Sequence, residues 1–169
     1  SKAASVTLPS LGNGQFSYPT GTSFAGGTID KKIAVYIDGN VAITNNVAYA
    51  GTANWGSVEE IPSVYVIVRG NIYIAPNVTQ LDGIYVAQPR SGVADSGRIY
   101  TCASGFSVPS DATLVSTGAG GCGQNNLTVN GAFVAQHVNF LRTKGSVRLG
   151  TAGGDPYTNT ANVAEIFRY

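Results

Sequence analysis

Apolar and polar residues alternate with a period of two over much of the chain. Between residues 32 and 37 every second residue is a β-branched apolar one, and the alternation resumes at residues 41–43. This period predicts β-strands, because successive side chains of a strand point to opposite faces. The longest apolar run, Val64–Val68, suits one buried strand. Residues 134–141 could form a helical turn, but their apolar residues also alternate, so we assign them to a strand.

A short sequence motif, which we call a phrase, recurs along the chain. Residues 37–43, Ile-Asp-Gly-Asn-Val-Ala-Ile, match residues 68–74, Val-Arg-Gly-Asn-Ile-Tyr-Ile. Residues 81–88, Leu-Asp-Gly-Ile-Tyr-Val-Ala-Gln, match residues 129–136, Val-Asn-Gly-Ala-Phe-Val-Ala-Gln. We interpret all four phrases as one recurring structural unit with a glycine at its corner. The predicted corner glycines are Gly39, Gly70, Gly83 and Gly131.

Two all-β architectures can use such a phrase. In a β-sandwich, Asp-Gly or Gly-Asn between two strands marks a hairpin, and the flanking runs pair with each other. In a parallel β-helix, or β-solenoid, the glycine marks a corner and each run stacks on the equivalent run of the next coil. We favour the β-solenoid because it accounts for the repetition, with the β-sandwich as the alternative. The phrases recur at unequal intervals, so irregular loops must protrude between coils.

The chain divides into two predicted parts. Residues 1–30, rich in glycine, serine, threonine and aromatic residues, read as an irregular N-terminal arm or cap, or as short strands. Residues 31–169 form the predicted single β-solenoid domain. Segments rich in glycine, serine and proline predict loops at residues 89–98, 103–126 and 142–160.

The recurring phrases resemble those of a β-helical group of exported bacterial surface proteins, most of whose members are uncharacterised. The final segment, residues 162–169, Asn-Val-Ala-Glu-Ile-Phe-Arg-Tyr, is similar to a recurrent ending of the β-helical region in that group. The resemblance covers roughly residues 33–169 and implies a β-helix at the cell surface. More distantly the phrases resemble the coils of bactofilins, which are polymerising β-helical scaffold proteins. The shorter, more regular bactofilin coil is not reproduced, so the resemblance does not extend to bactofilin-type polymerisation.

The amino-acid composition limits the kinds of partner that we expect the chain to bind. Only 11% of the 169 residues are charged and the net charge is +1, against about 25% charged residues in an ordinary soluble domain. Ten basic and nine acidic residues leave no positive patch for nucleic acid, which excludes that partner class. No apolar run is long enough to span a bilayer. Little long-range repulsion separates copies of such a chain, so the composition favours self-association.

Cys102 and Cys122 are the two cysteines, each within a stretch rich in serine and glycine. They have no neighbouring histidine or carboxylate to complete a metal site, so we favour a disulfide over two free thiols. A disulfide fits an exported protein, and the absence of both an initiator methionine and a signal-type apolar stretch favours a mature product or a cloned segment. We expect an extracellular or cell-surface location.

The sequence contains few residues in patterns typical of a catalytic site. His137 is the only histidine, and no Gly-x-Ser-x-Gly motif accompanies it. Asp38 and Asp82 hold equivalent positions in their phrases, so stacked coils could align them as the carboxylate pair that glycoside hydrolysis needs. Arg69 and Asn130 occupy the other two equivalent positions, which favours tolerant corner sites over a row of acids. We therefore predict no catalytic residues, no metal site and no cofactor.

Aromatic residues are the remaining candidates for binding. Tyrosines on successive coils could form a ladder for sugar rings or for a partner protein, or could pack beneath covering loops, which we favour. The candidate contact aromatics are Trp55, Tyr36, Tyr73 and Tyr85.

These observations predict a non-enzymatic, exported structural subunit that associates with itself in a surface layer or filamentous appendage. The contacts would use exposed strand edges or the terminal segments. The alternative is a carbohydrate-binding or adhesive module, with a glycan as ligand.

Overall fold

A computed structural model describes residues 5–18, 22–51, 55–110, 112–113, 118–142 and 165–168. The described chain is built mainly of short β-strands, which confirms the predicted all-β class. Two single 3-10 turns, Leu8–Ser10 and Val58–Glu60, interrupt them.

The strands are short because glycine, asparagine and proline interrupt the apolar alternation every few residues. In chain order they are β1 (Ser5–Val6), β2 (Gly14–Tyr18), β3 (Thr22–Phe24), β4 (Gly27–Ile29), β5 (Lys32–Ile37), β6 (Val41–Ile43), β7 (Val47–Tyr49), β8 (Ser63–Arg69), β9 (Ile72–Ile74), β10 (Gln80–Gln88), β11 (Arg98–Tyr100), β12 (Leu127–Ala135), β13 (His137–Asn139) and β14 (Glu165–Arg168).

All pairings between these strands are parallel. A six-stranded sheet has the order β1-β3-β6-β9-β11-β13, and an eight-stranded sheet contains the path β14-β12-β10-β8-β5-β2, with β4 and β7 attached beside it. Strands β5 and β6, which flank Gly39, belong to different sheets and do not pair with each other. The hairpin interpretation of this phrase is therefore wrong. In the described part of the chain the one antiparallel bridge joins Ser104 and Ser107.

The recurring phrases lie beside one another in register. Gly83 pairs with Gly131, and the residues on either side of each follow the same alignment as the sequence match. Val41 likewise pairs with Ile72, and Ile37 with Val68. Sequence repetition thus reflects lateral pairing between equivalent strands.

The pairings form three parallel stacks. Stack A contains β2, β5, β8 and the second halves of β10 and β12. Stack B is the six-stranded sheet. Stack C contains β4, β7, the first halves of β10 and β12, and β14. Strands β10 and β12 each pass from stack C into stack A without a break.

The four predicted corner glycines fall at two different places. Gly39 and Gly70 lie between stacks A and B, whereas Gly83 and Gly131 lie inside β10 and β12, where the chain passes from stack C to stack A. The prediction of one recurring unit is therefore wrong, since two kinds of junction share a glycine. Gly83 and Gly131 have φ of 117° and 150°, a region that side-chain-bearing residues rarely adopt. A Cβ on Gly70 would lie 2.5 Å from the carbonyl O of Gly39, so the two chain segments approach too closely for a side chain.

Inward side chains of all three stacks fill one apolar interior. Val35, Val66, Ile72, Leu81 and Val129 are among its fully buried members. Each such side chain contributes about 1.5–3 kcal/mol relative to an exposed one. The interior holds the stacks together and fixes which side chains of each strand point outward.

Strands β1 to β4, within residues 5–18 and 22–29, belong to the same sheets as the later strands. Strand β1 pairs with β3, β2 with β5, and β4 with β7. The predicted boundary at residue 30 therefore does not coincide with the end of either sheet. Residues 162–164 and 169 of the predicted ending, and most of the predicted loop 142–160, lie outside the described residues.

Candidate functional site

The outward side of stack A carries apolar side chains in adjacent strands. Register places them in two rows across β5, β8, β10 and β12. The first row is Ala34, Tyr65, Ile84 and Ala132. The second row is Tyr36, Ile67, Val86 and Val134. We call these eight residues the open face.

The open face is accessible to solvent. The exposed fraction is 39% for Tyr36, 42% for Tyr65 and 52% for Val134, and the remaining five residues are half-buried. Parallel strands are ordinarily covered on both faces and then read as near-continuous apolar runs. Strand β8, with Val64–Val68, has this composition although its outward side is exposed. The open face therefore has the chemistry of a surface that another layer covers.

Charged residues lie at the carboxyl ends of the stack A strands. Arg69 donates two hydrogen bonds to the Asp38 carboxylate, from Nε at 3.0 Å and from Nη2 at 2.9 Å. Arg90 Nε lies 3.9 Å from the same carboxylate. The Arg69 hydrogen bonds lower the pKa of Asp38, and the pair raises the pKa of Arg69. We call Asp38, Arg69 and Arg90 the basic edge, since two positive charges face one negative charge.

A second charged cluster lies at the amino ends of the same strands. It consists of Asp30, Lys31, Lys32, Glu59 and Glu60, which line one shallow depression. A hydrogen bond from its own backbone N–H and one from the Ser57 side chain lower the pKa of Glu59, with a smaller contribution from Lys32. Three carboxylates face two lysines, so we call this cluster the acidic edge.

The outward side of stack B is covered by the chain itself. Tyr73 is 8% exposed and stacks on Tyr100, with ring centroids 5.1 Å apart. Phe106, from the segment after Cys102, meets Tyr73 edge to face at 5.9 Å. A disulfide joins Cys102 to Cys122 and links the two ends of the intervening segment to each other. We call this side the covered face.

The predicted contact aromatics differ in whether their side chains are exposed, buried in the interior or covered. Tyr36 lies on the open face, as the binding prediction requires. The prediction for Tyr85 is wrong, because its side chain points into the interior with no exposure and packs against Phe133. Burial raises the pKa of Tyr85 well above its ordinary range. Tyr100 and Phe106 cover the ring of Tyr73, which agrees with the favoured expectation of packing beneath a covering loop and not with a contact role.

Trp55 is half-buried, and its indole Nε1 donates a hydrogen bond to the carbonyl O of Ala50 at 3.2 Å. This bond holds the indole ring beside Ala50. A role for Trp55 in binding stays a prediction.

Asp38 and Asp82, which hold equivalent positions in their phrases, lie in different surroundings. Asp38 is an exposed part of the basic edge, whereas Asp82 is 3% exposed in stack C. The Asp82 carboxylate accepts hydrogen bonds from the backbone N–H of Tyr49 at 2.7 Å and from Asn130 Nδ2 at 2.7 Å. Asp82 thus connects three neighbouring strands and is structural. In the described ranges no three histidine, cysteine or acidic side chains are grouped to hold a metal ion.

The apolar residues of the open face were not among the predicted site residues. Stack A presents Ile67, Ile84 and Val86 outward. The signal was the unbroken run Val64–Val68, in which inward and outward positions are equally apolar.

Comparison of the chain with protein-family models, with curated proteins and with solved structures finds no match in any of the three. Among the described residues, no helix is long and apolar enough to cross a membrane. The disulfide fits an extracellular protein.

Proposed function

We propose that this chain is a non-enzymatic, exported structural subunit, a β-solenoid that associates with itself in a surface layer or filament. The open face carries the proposal. Its eight outward apolar residues form one contiguous surface on a chain with few charges to oppose association.

The solenoid architecture is supported by the order of the stacks. The chain passes through stacks A, B and C in turn, and each strand pairs in parallel with the equivalent strand of the next passage. The in-register pairing of Gly83 with Gly131 supports the same path, because it places the two corner phrases directly beside each other.

Strand edges supply a second means of association. Within the described residues, β1 and β13 end the six-stranded sheet, and β2 and β14 end the path of the eight-stranded one. Backbone groups at such edges can pair with another chain. Association through the open face and association along the stacking direction would together build an extended array.

Sedimentation velocity over a wide concentration range, with electron microscopy of the same samples, tests the proposed function. We expect a mass that rises above the 17.4 kDa of one chain as concentration increases. Particles of 17.4 kDa at every concentration, from material with intact termini, would contradict self-association.

A carbohydrate-binding or adhesive module is the second candidate. Tyr36 and Tyr65 lie on adjacent strands at diagonal positions of the open face and expose their rings, which is an arrangement on which sugar rings can stack. A glycan array distinguishes the two candidates. Binding by a strict monomer that Tyr65→Ala abolishes would favour the adhesive module, and an array without binding would exclude it.

A further inference from the structure

We propose that the open face binds the open face of a second copy, with the strands of the two copies running in opposite directions. This inference rests on the proposed self-association and specifies its geometry. In this arrangement a two-fold axis parallel to the stacking direction places the acidic edge of each copy against the basic edge of the other.

The two rows of the open face complement each other under this symmetry. The axis sets the first row of one copy against the second row of the other, so Ala34 faces Tyr36 and Ala132 faces Val134. At both ends of the rows an alanine thereby lies opposite a larger side chain, while larger side chains face each other at the centre. Face-to-face sheets pack about 10 Å apart with interdigitated side chains.

The charges at the two edges favour opposed strands over the reverse arrangement. The acidic edge has three carboxylates and two lysines, and the basic edge has two arginines and one carboxylate. Opposed strands bring opposite net charges together at both sides of the interface. The neighbouring Asp95–Arg98 ion pair neutralises itself and does not alter this balance. A two-fold axis along the strands would instead place like edges together, which disfavours it.

Other outward sides of the described strands suit a second copy less well. On stack B, Phe106 from the disulfide-linked segment packs over Tyr73. The outward positions of stack C include Thr28, Asp82 and Asn130, of which Asp82 is satisfied by hydrogen bonds from its own chain. Stack A alone of the three described stacks combines exposure with an apolar centre and charged edges.

Substitution at the centre of the open face tests the surface. Val86→Lys puts a charge between Ile67 and Val134, and we expect it to weaken association by at least about tenfold in Kd. Thr28→Lys is the matched control, because it adds the same charge at an exposed outward strand position of stack C. Circular dichroism of each variant verifies folding, and Tyr65→Asp is a second open-face variant should Val86→Lys fail to fold.

Charge reversal tests the opposed direction of the strands. Glu59→Lys with Glu60→Lys makes both edges positive, and Arg69→Glu with Arg90→Glu makes both negative. We expect each double variant to weaken association by about tenfold at low salt, and the quadruple variant to recover wild-type affinity. Equal affinity of both doubles and the wild type would overturn the opposed arrangement.

The outcomes separate this inference from the proposed function. A wild-type chain that stays monomeric contradicts both. A wild-type chain that assembles, with Val86→Lys assembling equally well, contradicts only the open-face interface and assigns association to other surfaces such as the strand edges. Loss of association in Val86→Lys but not in Thr28→Lys supports the interface.

Discussion

The covered face and the open face carry similar outward side chains but differ in their exposure to solvent. Both are outward sides of parallel sheets, and both carry tyrosines flanked by apolar residues. On the covered face, Tyr100 and Phe106 pack against Tyr73, which is 8% exposed. On the open face, Tyr36 and Tyr65 remain about two-fifths exposed.

The two faces differ in whether another part of the same chain covers them. On the covered face Phe106 packs against Tyr73, and Phe106 lies in the segment whose two ends the disulfide joins. The described chain leaves the open face without such a cover, although strands β8 and β10 have the composition of strands covered on both sides. The covered face packs against its own chain, whereas the open face is the surface to which our proposal assigns association.

Gly131→Ala should disrupt the scaffold beneath both faces and have the largest effect. The new Cβ would overlap the carbonyl O of Gly83, and φ of 150° is strained for alanine. We expect a loss of about 4 kcal/mol in the free energy of unfolding, measured by urea denaturation.

Gly14→Ala is the matched control for Gly131→Ala. Gly14 has φ of 139°, but a Cβ added there would have no heavy atom within 4 Å, so the variant retains the backbone strain without the overlap. Gly70→Ala and Gly12→Ala form the complementary pair, since neither has a positive φ and only Gly70 is crowded. Equal losses for Gly131→Ala and Gly14→Ala would contradict the close approach of β10 and β12.

Cys102→Ser with Cys122→Ser should release the cover of one face only. Closing a loop with a sequence separation of 20 stabilises a fold by about 3 kcal/mol in the chain-entropy model. We expect a loss of that size in thermal or urea unfolding and increased reactivity of Tyr73 toward a tyrosine-modifying reagent. An unchanged Tyr73 reactivity would show that the disulfide does not hold the cover.

Truncating one tyrosine on each face should lower the free energy of unfolding by different amounts. Tyr73→Ala removes a buried ring and should cost about 2 kcal/mol, below the usual range because the covering segment can partly close the cavity. Tyr65→Ala should cost less than about 0.5 kcal/mol when measured at concentrations where the chain is monomeric. Equal costs for the two variants would contradict the assignment of the faces.

Alkaline titration should give the smallest effect and report on the interior that both faces share. Burial raises the pKa of Tyr85 above its ordinary value of 10.0. The unfolded chain therefore releases this proton first, so stability is present below pH 10 and decreases as pH rises above it. Tyr85→Phe should flatten the decrease in urea midpoint above pH 10. A variant that loses stability with pH as steeply as the wild type would contradict this role.

Much of the fold could be predicted because its determinants are local. The alternation at residues 32–37 and the repeated phrases predicted strands and their equivalence, and the paired phrases lie in register. The two kinds of glycine junction could not be distinguished, because both need the same residue for close approach or unusual φ.

The faces could not be predicted because outward and inward positions use similar residues. In Ile84–Ala87 the pattern of sizes does not indicate that Tyr85 points inward while Ile84 and Val86 point outward. Tyr73 and Tyr36 likewise differ only in whether a distant segment reaches them. That depends on the path of the chain after Cys102, which carries no periodic signal.

Hydroxyl-radical footprinting with mass spectrometry tests the central claim most directly, since it compares both faces in one sample. Oxidation is measured at Tyr36, Tyr65 and Val134, and at Tyr73, in dilute and in concentrated protein. The account predicts that concentration protects the three open-face residues and leaves Tyr73 unchanged at a low level. Association that leaves Tyr36, Tyr65 and Val134 as reactive as in the dilute chain would contradict it.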